Sequence, residues 1–128
     1  MKINKYFLTL SFLVFALVLT GCAKSNNQES SSFVDKNAEI ILFYGETCPH
    51  CKVVEKYITD NNISEKVNFT QSEVYNNKDN ATFMIEKQKE CNLDKNMVGA
   101  VPFLWTQDKC FLGQDDIIQF FKDKVNEK

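Results

Sequence analysis

The sequence predicts an α/β domain: a four-stranded mixed sheet flanked by three helices, in the order β-α-β-α-β-β-α. Three observations predict it. An unbroken apolar run, Ile40-Ile41-Leu42-Phe43-Tyr44, ends in Gly45 and gives way at once to helical periodicity. Polar clusters at Asp60-Asn61-Asn62 and Asn76-Asn77-Lys78-Asp79-Asn80 cut the following chain into strand-length and helix-length pieces. A Pro-opened apolar run at Val101–Trp105 then precedes a short strand and an amphipathic C-terminal segment.

Each element has its own reason. The first strand, Glu39 to Tyr44, lacks alternation and so suits a central strand covered on both faces. The first helix opens at Cys48 or Pro49, because Pro is tolerated where a helical N–H has no partner. Its apolar positions Val53, Val54, Tyr57 and Ile58 make one stripe that packs on the sheet. The second strand is expected at about Lys66 to Thr70, with Val67 and Phe69 alternating inward. The second helix is expected from about Ala81 to Cys91, with Ala81, Met84, Ile85 and Gln88 on one face. The third strand is Val101–Trp105 and the fourth Cys110–Leu112, with a turn at Asp108-Lys109 between them. After Gly113, Asp115 and Asp116 favour a helix N-terminus, and Ile117, Ile118, Phe121 and Val125 form that helix's apolar stripe. A right-handed β-α-β crossover leaves the start of the first helix at the carboxyl end of a central strand, where open α/β sheets place their sites.

The chain has 128 residues, one domain's worth once the N-terminal segment is set aside. All fifteen basic residues are Lys against seventeen acidic ones, so no basic stripe is available for nucleic acid. Lys2 and Lys5 precede an apolar run from Tyr6 to Leu19, too short for a membrane span of about 20 residues and suited to a secretory signal. Leu19-Thr20-Gly21-Cys22 resembles the bacterial lipobox. That resemblance implies a signal peptide over 1–21 and acylation of Cys22, which would hold the chain at the extracytoplasmic face of a bacterial membrane. Residues 22–37 are Ser, Asn, Gln and charge with little to bury, and are read as a disordered tether to a domain spanning 38–128.

Five Cys in this length is many for a reducing compartment. With Cys22 assigned to the anchor, four remain. Cys48 and Cys51 form a C-x-x-C pair on the first turn of a helix, where unpaired N–H groups and the helix dipole stabilise a thiolate. Cys48 is the expected nucleophile and Cys51, one turn in and facing the core, the expected resolving thiol of a thiol–disulfide exchange. His50 can place a donor or positive charge beside the Cys48 thiolate. Cys91 and Cys110 are candidates for a second disulfide, provided their Cα atoms come within about 7 Å. Two other readings use the same residues. Four thiolates at Cys48, Cys51, Cys91 and Cys110 could hold zinc, or disulfides could simply staple a non-catalytic surface lipoprotein. Haem attachment is excluded because Lys52, not His, follows Cys51.

Phe43-Tyr44-Gly45-Glu46-Thr47-Cys48-Pro49-His50-Cys51, the Val101-Pro102 step and Leu112-Gly113-Gln114-Asp115-Asp116 together resemble the thioredoxin-like superfamily, closest to its glutaredoxin-type core, over roughly residues 38–126. The resemblance implies a thioredoxin-like fold and a thiol–disulfide oxidoreductase, with Val101-Pro102 a cis peptide packed against the cysteines. Backbone groups there would let an extended substrate pair as an added strand. The Pro-His dipeptide matches strongly oxidising periplasmic members and leans the direction toward oxidase or isomerase. Three positions depart from the relatives. Gly45 stands where glutaredoxins often carry Lys, Ala100 replaces their Thr, and Leu42 fills the place of the buried Asp of thioredoxins. These weigh against glutathione, and neither cofactor nor metal is implied. The expected partners are protein or peptide thiols and disulfides, and a membrane redox partner within reach of the anchor, for a monomeric domain.

Overall fold

The computed structural model describes residues 35–127. The expected signal peptide, the expected acylation residue Cys22 and the expected tether up to residue 34 lie outside the described residues. Asp35 closes a turn by accepting the N–H of Ala38, and Lys36 lies over the Phe83 ring. Among the described residues no helix is long and apolar enough to cross a membrane.

The chain forms β1 (Ile40–Tyr44), α1 (Pro49–Asp60), α2 (Ile63–Lys66), β2 (Thr70–Glu73), α3 (Lys78–Glu90), β3 (Phe103–Thr106), β4 (Cys110–Leu112) and α4 (Gln114–Asn126). The four strands lie in the order β2-β1-β3-β4, with β1 parallel to β2 and antiparallel to β3, and β3 antiparallel to β4. This is the thioredoxin-like α/β arrangement. β1 is interior to the sheet, and alternate residues serve opposite faces. Leu42 joins Val54, Ile58, Ile63, Ile117, Phe120 and Phe121 in the core under α1, α2 and α4. Ile41 and Phe43 join Val74, Met84 and Phe103 under α3. The unbroken apolar run is thereby explained: both faces of β1 are covered.

Four elements differ from expectation. A fourth helix, the single turn α2, occupies Ile63–Lys66, and Val67 is its extended C-cap rather than a strand residue. Ile63 and Val67 are buried and Phe69 packs on Phe121, so the apolar spacing that reads as alternation anchors a helix-to-strand connection. The second strand falls later, on Thr70-Gln71-Ser72-Glu73, a polar run tolerated because β2 is an edge strand paired only with β1. α3 starts three residues before the expected position, with Asn77 as its N-cap accepting the N–H groups of Asp79 and Asn80, each at 3.0 Å. β3 starts at Phe103, after the Val101-Pro102 step instead of on it.

Candidate active site

The dithiol stands where β1 hands over to α1. A turn closed by the Cys48 N–H on the Gly45 carbonyl (3.0 Å) leaves Cys48 in extended backbone as the N-cap of α1, with Pro49 at the first helical position. A thiol therefore occupies the place where Ser or Asp usually caps a helix. The Cys48 sulfur does the same work, accepting the Cys51 N–H at 3.3 Å. It also lies 3.8 Å from the Val101 carbonyl, to which its S–H donates. The Val101-Pro102 peptide is cis, and the Gly113 N–H donates to the Pro102 carbonyl at 2.9 Å. Thus residues far apart in sequence meet at one sulfur.

Cys51 is buried beneath Cys48 and its sulfur accepts the Gly45 N–H at 3.5 Å. Burial pushes its thiol up to about 12. The hydrogen bond to Cys48 and the charges of Cys48 and Glu55 add to the rise, while the Gly45 N–H opposes it. Both thiols are free, whereas Cys91 and Cys110 are joined by a disulfide, their Cα atoms 6.2 Å apart. That bond corrects the four-thiolate zinc reading, since two of its four sulfurs are committed to each other. It joins the C-cap of α3 to β4 and closes a ring of chain that contains Val101-Pro102.

His50 is exposed, and its Nδ1 pairs with Oε1 of Gln114 at 2.9 Å. Its ring is therefore held by the start of α4, and its polar partner is Gln114 rather than the Cys48 sulfur. His50, Val101, Pro102, Gly113, Asp115 and Asp116 line an open groove of about 390 Å³ beside the dithiol. A second hollow of about 440 Å³, lined by Ile40, Thr106 and Lys109 among others, sits at the opposite end of the sheet and holds no cysteine.

Three further residues shape the site without having been foreseen. Gln88 of α3, fully buried, accepts the Gly99 N–H at 2.7 Å and donates to the Ala100 carbonyl at 2.9 Å, fixing the approach to Val101. Glu73, at the end of β2, accepts the N–H groups of Tyr75 (2.8 Å), Asn76 (2.8 Å) and Glu46 (3.2 Å), tying the turn after β2 to the turn before Cys48. Desolvation would raise its carboxyl, but these backbone donors outweigh it and hold the group below the usual carboxylate range. Tyr75 is then carried over Gly45, its ring occupying the space that a side chain at position 45 would need. The hydroxyl-bearing end of the ring is thereby set against Gly45, whose carbonyl accepts the Cys48 N–H and whose N–H donates to the Cys51 sulfur. The sequence signal for the pair, a Gly three residues before a C-x-x-C, was available, but its ring partner thirty residues on was not.

No family model matches the chain. No curated protein matches it either. Among solved structures it is similar to oxidised glutaredoxin 2 of Chlamydomonas reinhardtii, at 19% identity over 70% of this chain and 77% of that one, with a TM-score of 0.48. It is similar to a glutaredoxin of Archaeoglobus fulgidus at 18% identity, over 70% of this chain and 88% of that one, TM-score 0.49. It is also similar to reduced glutaredoxin C1 of Populus tremula x tremuloides at 16% identity, over 70% and 69%, TM-score 0.48.

Proposed function

We propose that the protein is a thiol–disulfide oxidoreductase that works through Cys48 and Cys51 outside the cytoplasm, anchored through Cys22. The observation that carries the activity is the double engagement of the Cys48 sulfur: it caps α1 through the Cys51 N–H and meets the carbonyl of the cis Val101-Pro102 step. A sulfur at that point has a helix donor on one side and, on the other, the Val101-Pro102 step that lines the open groove.

In the reducing direction the Cys48 thiolate attacks one sulfur of a substrate disulfide, forming a mixed disulfide and expelling the other sulfur as thiolate. Cys51, its proton passed to water, then attacks the Cys48 sulfur, expels the remaining substrate thiolate and closes the Cys48–Cys51 disulfide. Two electrons have moved to the substrate. Run backwards, the same steps oxidise a substrate dithiol. The order is built into Cys51: two of the causes that keep its thiol protonated are the hydrogen bond to Cys48 and the charge of Cys48. Both vanish once Cys48 is bonded to substrate, so Cys51 becomes easier to deprotonate when it is needed.

We read the direction as oxidation or isomerisation of exported proteins or peptides, on the Pro49-His50 dipeptide, with a membrane redox protein as the electron partner. Equilibrating the purified domain in glutathione buffers and counting free thiols tests the reading. A Cys48–Cys51 couple above about −200 mV supports an oxidase, and one below about −300 mV makes the bond a structural staple and refutes exchange. Cys48→Ser should abolish exchange, while Cys51→Ser should accumulate mixed disulfides. Equal activity in both variants would refute the assigned roles.

A further inference from the structure

We propose that Tyr75 is a catalytic residue whose phenol O–H donates to the Cys48 sulfur, stabilising the thiolate each time Cys48 attacks or is released. The inference rests on the exchange chemistry assigned above to Cys48.

Several independent contacts hold the Tyr75 ring over the turn that leads into Cys48. The turn that bears Tyr75 is fixed from below by Glu73, whose carboxylate accepts both the Tyr75 and Asn76 N–H groups at 2.8 Å. The same carboxylate takes the Glu46 N–H, and the Asn76 amide donates to the Glu46 carboxylate at 2.9 Å. The Val74 N–H donates to the Tyr44 carbonyl at 2.9 Å, and Asn80 donates to the Glu73 carbonyl at 2.9 Å. The turn after β2 and the turn before Cys48 are therefore one cross-linked unit. On that unit the Tyr75 ring lies against Gly45, where a Cβ would overlap the ring carbons around the hydroxyl. Tyr75 is about half exposed, at 53%, yet Cys48 beneath it is only 5% exposed. An exposed aromatic ring on a turn tied down by six hydrogen bonds is not explained by core packing.

The phenol is suited to donate. Burial raises it above its ordinary range, followed by the charges of Cys48 and Cys51, so the group keeps its proton beside a thiolate. In the exchange steps written above, the phenol neither gains nor loses a proton. It offers one donor to the sulfur that carries the negative charge, in addition to the Cys51 N–H.

Tyr75→Phe keeps the ring and removes the donor. Losing one hydrogen bond to an ionised group at a half-exposed position should cost roughly tenfold, the lower end of the range for such bonds. The equilibrium constant with glutathione should move about tenfold toward the Cys48–Cys51 disulfide, because the thiolate form loses the support. The second-order rate of Cys48 with iodoacetamide at neutral pH should fall by a similar factor. Gly45→Ala, at a residue of ordinary backbone conformation, should displace the ring and reproduce both losses, and the double variant should lose no more than either single one. A Tyr75→Phe protein within twofold of the parent in both measurements, or additive losses in the double variant, overturns the assignment. If the parent itself performs no exchange, the reading of Cys48 as a catalytic thiol fails, and the iodoacetamide rates still decide the role of Tyr75.

Discussion

A thiol that stays protonated until the moment of resolution should be almost inert to alkylation in the reduced resting protein. Burial first, then Cys48, pushes Cys51 from the ordinary 9.0 up to about 12. Only the thiolate reacts, and each pH unit is a factor of ten, so at about pH 7.5 the reactive fraction is smaller by roughly a thousandfold than for an ordinary thiol. Near-complete burial adds a steric factor on top. The assay is a time course of the reduced protein with iodoacetamide, read by peptide mass spectrometry at Cys48 and Cys51 separately, with the protein in denaturant as reference. Cys51 should react about 10³ times more slowly folded than unfolded, and its rate should rise about tenfold per pH unit well beyond pH 9. A folded rate within tenfold of the unfolded one, or a plateau near pH 9, would refute the reasoning. The same shift has a stability sign. Cys51 is raised in the fold, so its contribution is fully present below the unfolded value near 9 and is lost as pH rises toward about 12. The slope cannot exceed one proton, about 1.4 kcal/mol per pH unit, and it should disappear in the Cys48–Cys51 disulfide form.

Glu73 has the opposite sign: its carboxyl is held low in the fold, so its stabilisation is present above the unfolded value near 4.5 and is lost as pH falls. Thermal midpoints should decline with acidification below that point, and Glu73→Gln should flatten the decline while loosening the Tyr75 turn; an unchanged slope would remove Glu73 from the account. The Cys91–Cys110 bond closes a loop with a sequence separation of 19, worth about 3 kcal/mol in loop-closure entropy. Replacing both residues with Ser should therefore lower the thermal midpoint by more than about 10 °C. A shift of only a few degrees would mean that the reduced chain already holds the two ends together.

Much of this architecture was legible because one physical signal dominated each place. Five apolar residues in a row could only be β1 in the middle of the sheet, and the Gly45–Pro49 sequence marked the turn into α1 and its thiol cap. Val101-Pro102 stood out because Pro must either open a strand or turn the chain. What escaped notice depends on partners that a linear reading cannot supply. Thr70–Glu73 forms a strand because β1 offers it hydrogen bonds, not because its side chains favour one. Ile63–Lys66 is a helix of one turn, held by the burial of Ile63 more than by propensity. Tyr75 and Glu73 matter only because the β1–β2 pairing brings the two turns side by side, and Gln88 looks like an ordinary helix residue until its amide meets Gly99 and Ala100. His50 was read from its neighbours in sequence, but its hydrogen-bond partner Gln114 lies in another helix.

Trp105 is the chain's single tryptophan, and its place in the ladder is directly opposite Cys110, with the Lys87 ammonium 4.2 Å from its ring centre. Disulfides quench indole emission at contact range, and the bond beside Trp105 is the one that closes the ring of chain around Val101-Pro102. The molecule thus carries its own optical gauge, tuned to one of its two cysteine pairs. Its fluorescence should rise when the Cys91–Cys110 bond is reduced, leaving the state of Cys48 and Cys51 to be read by chemical labelling in the same sample.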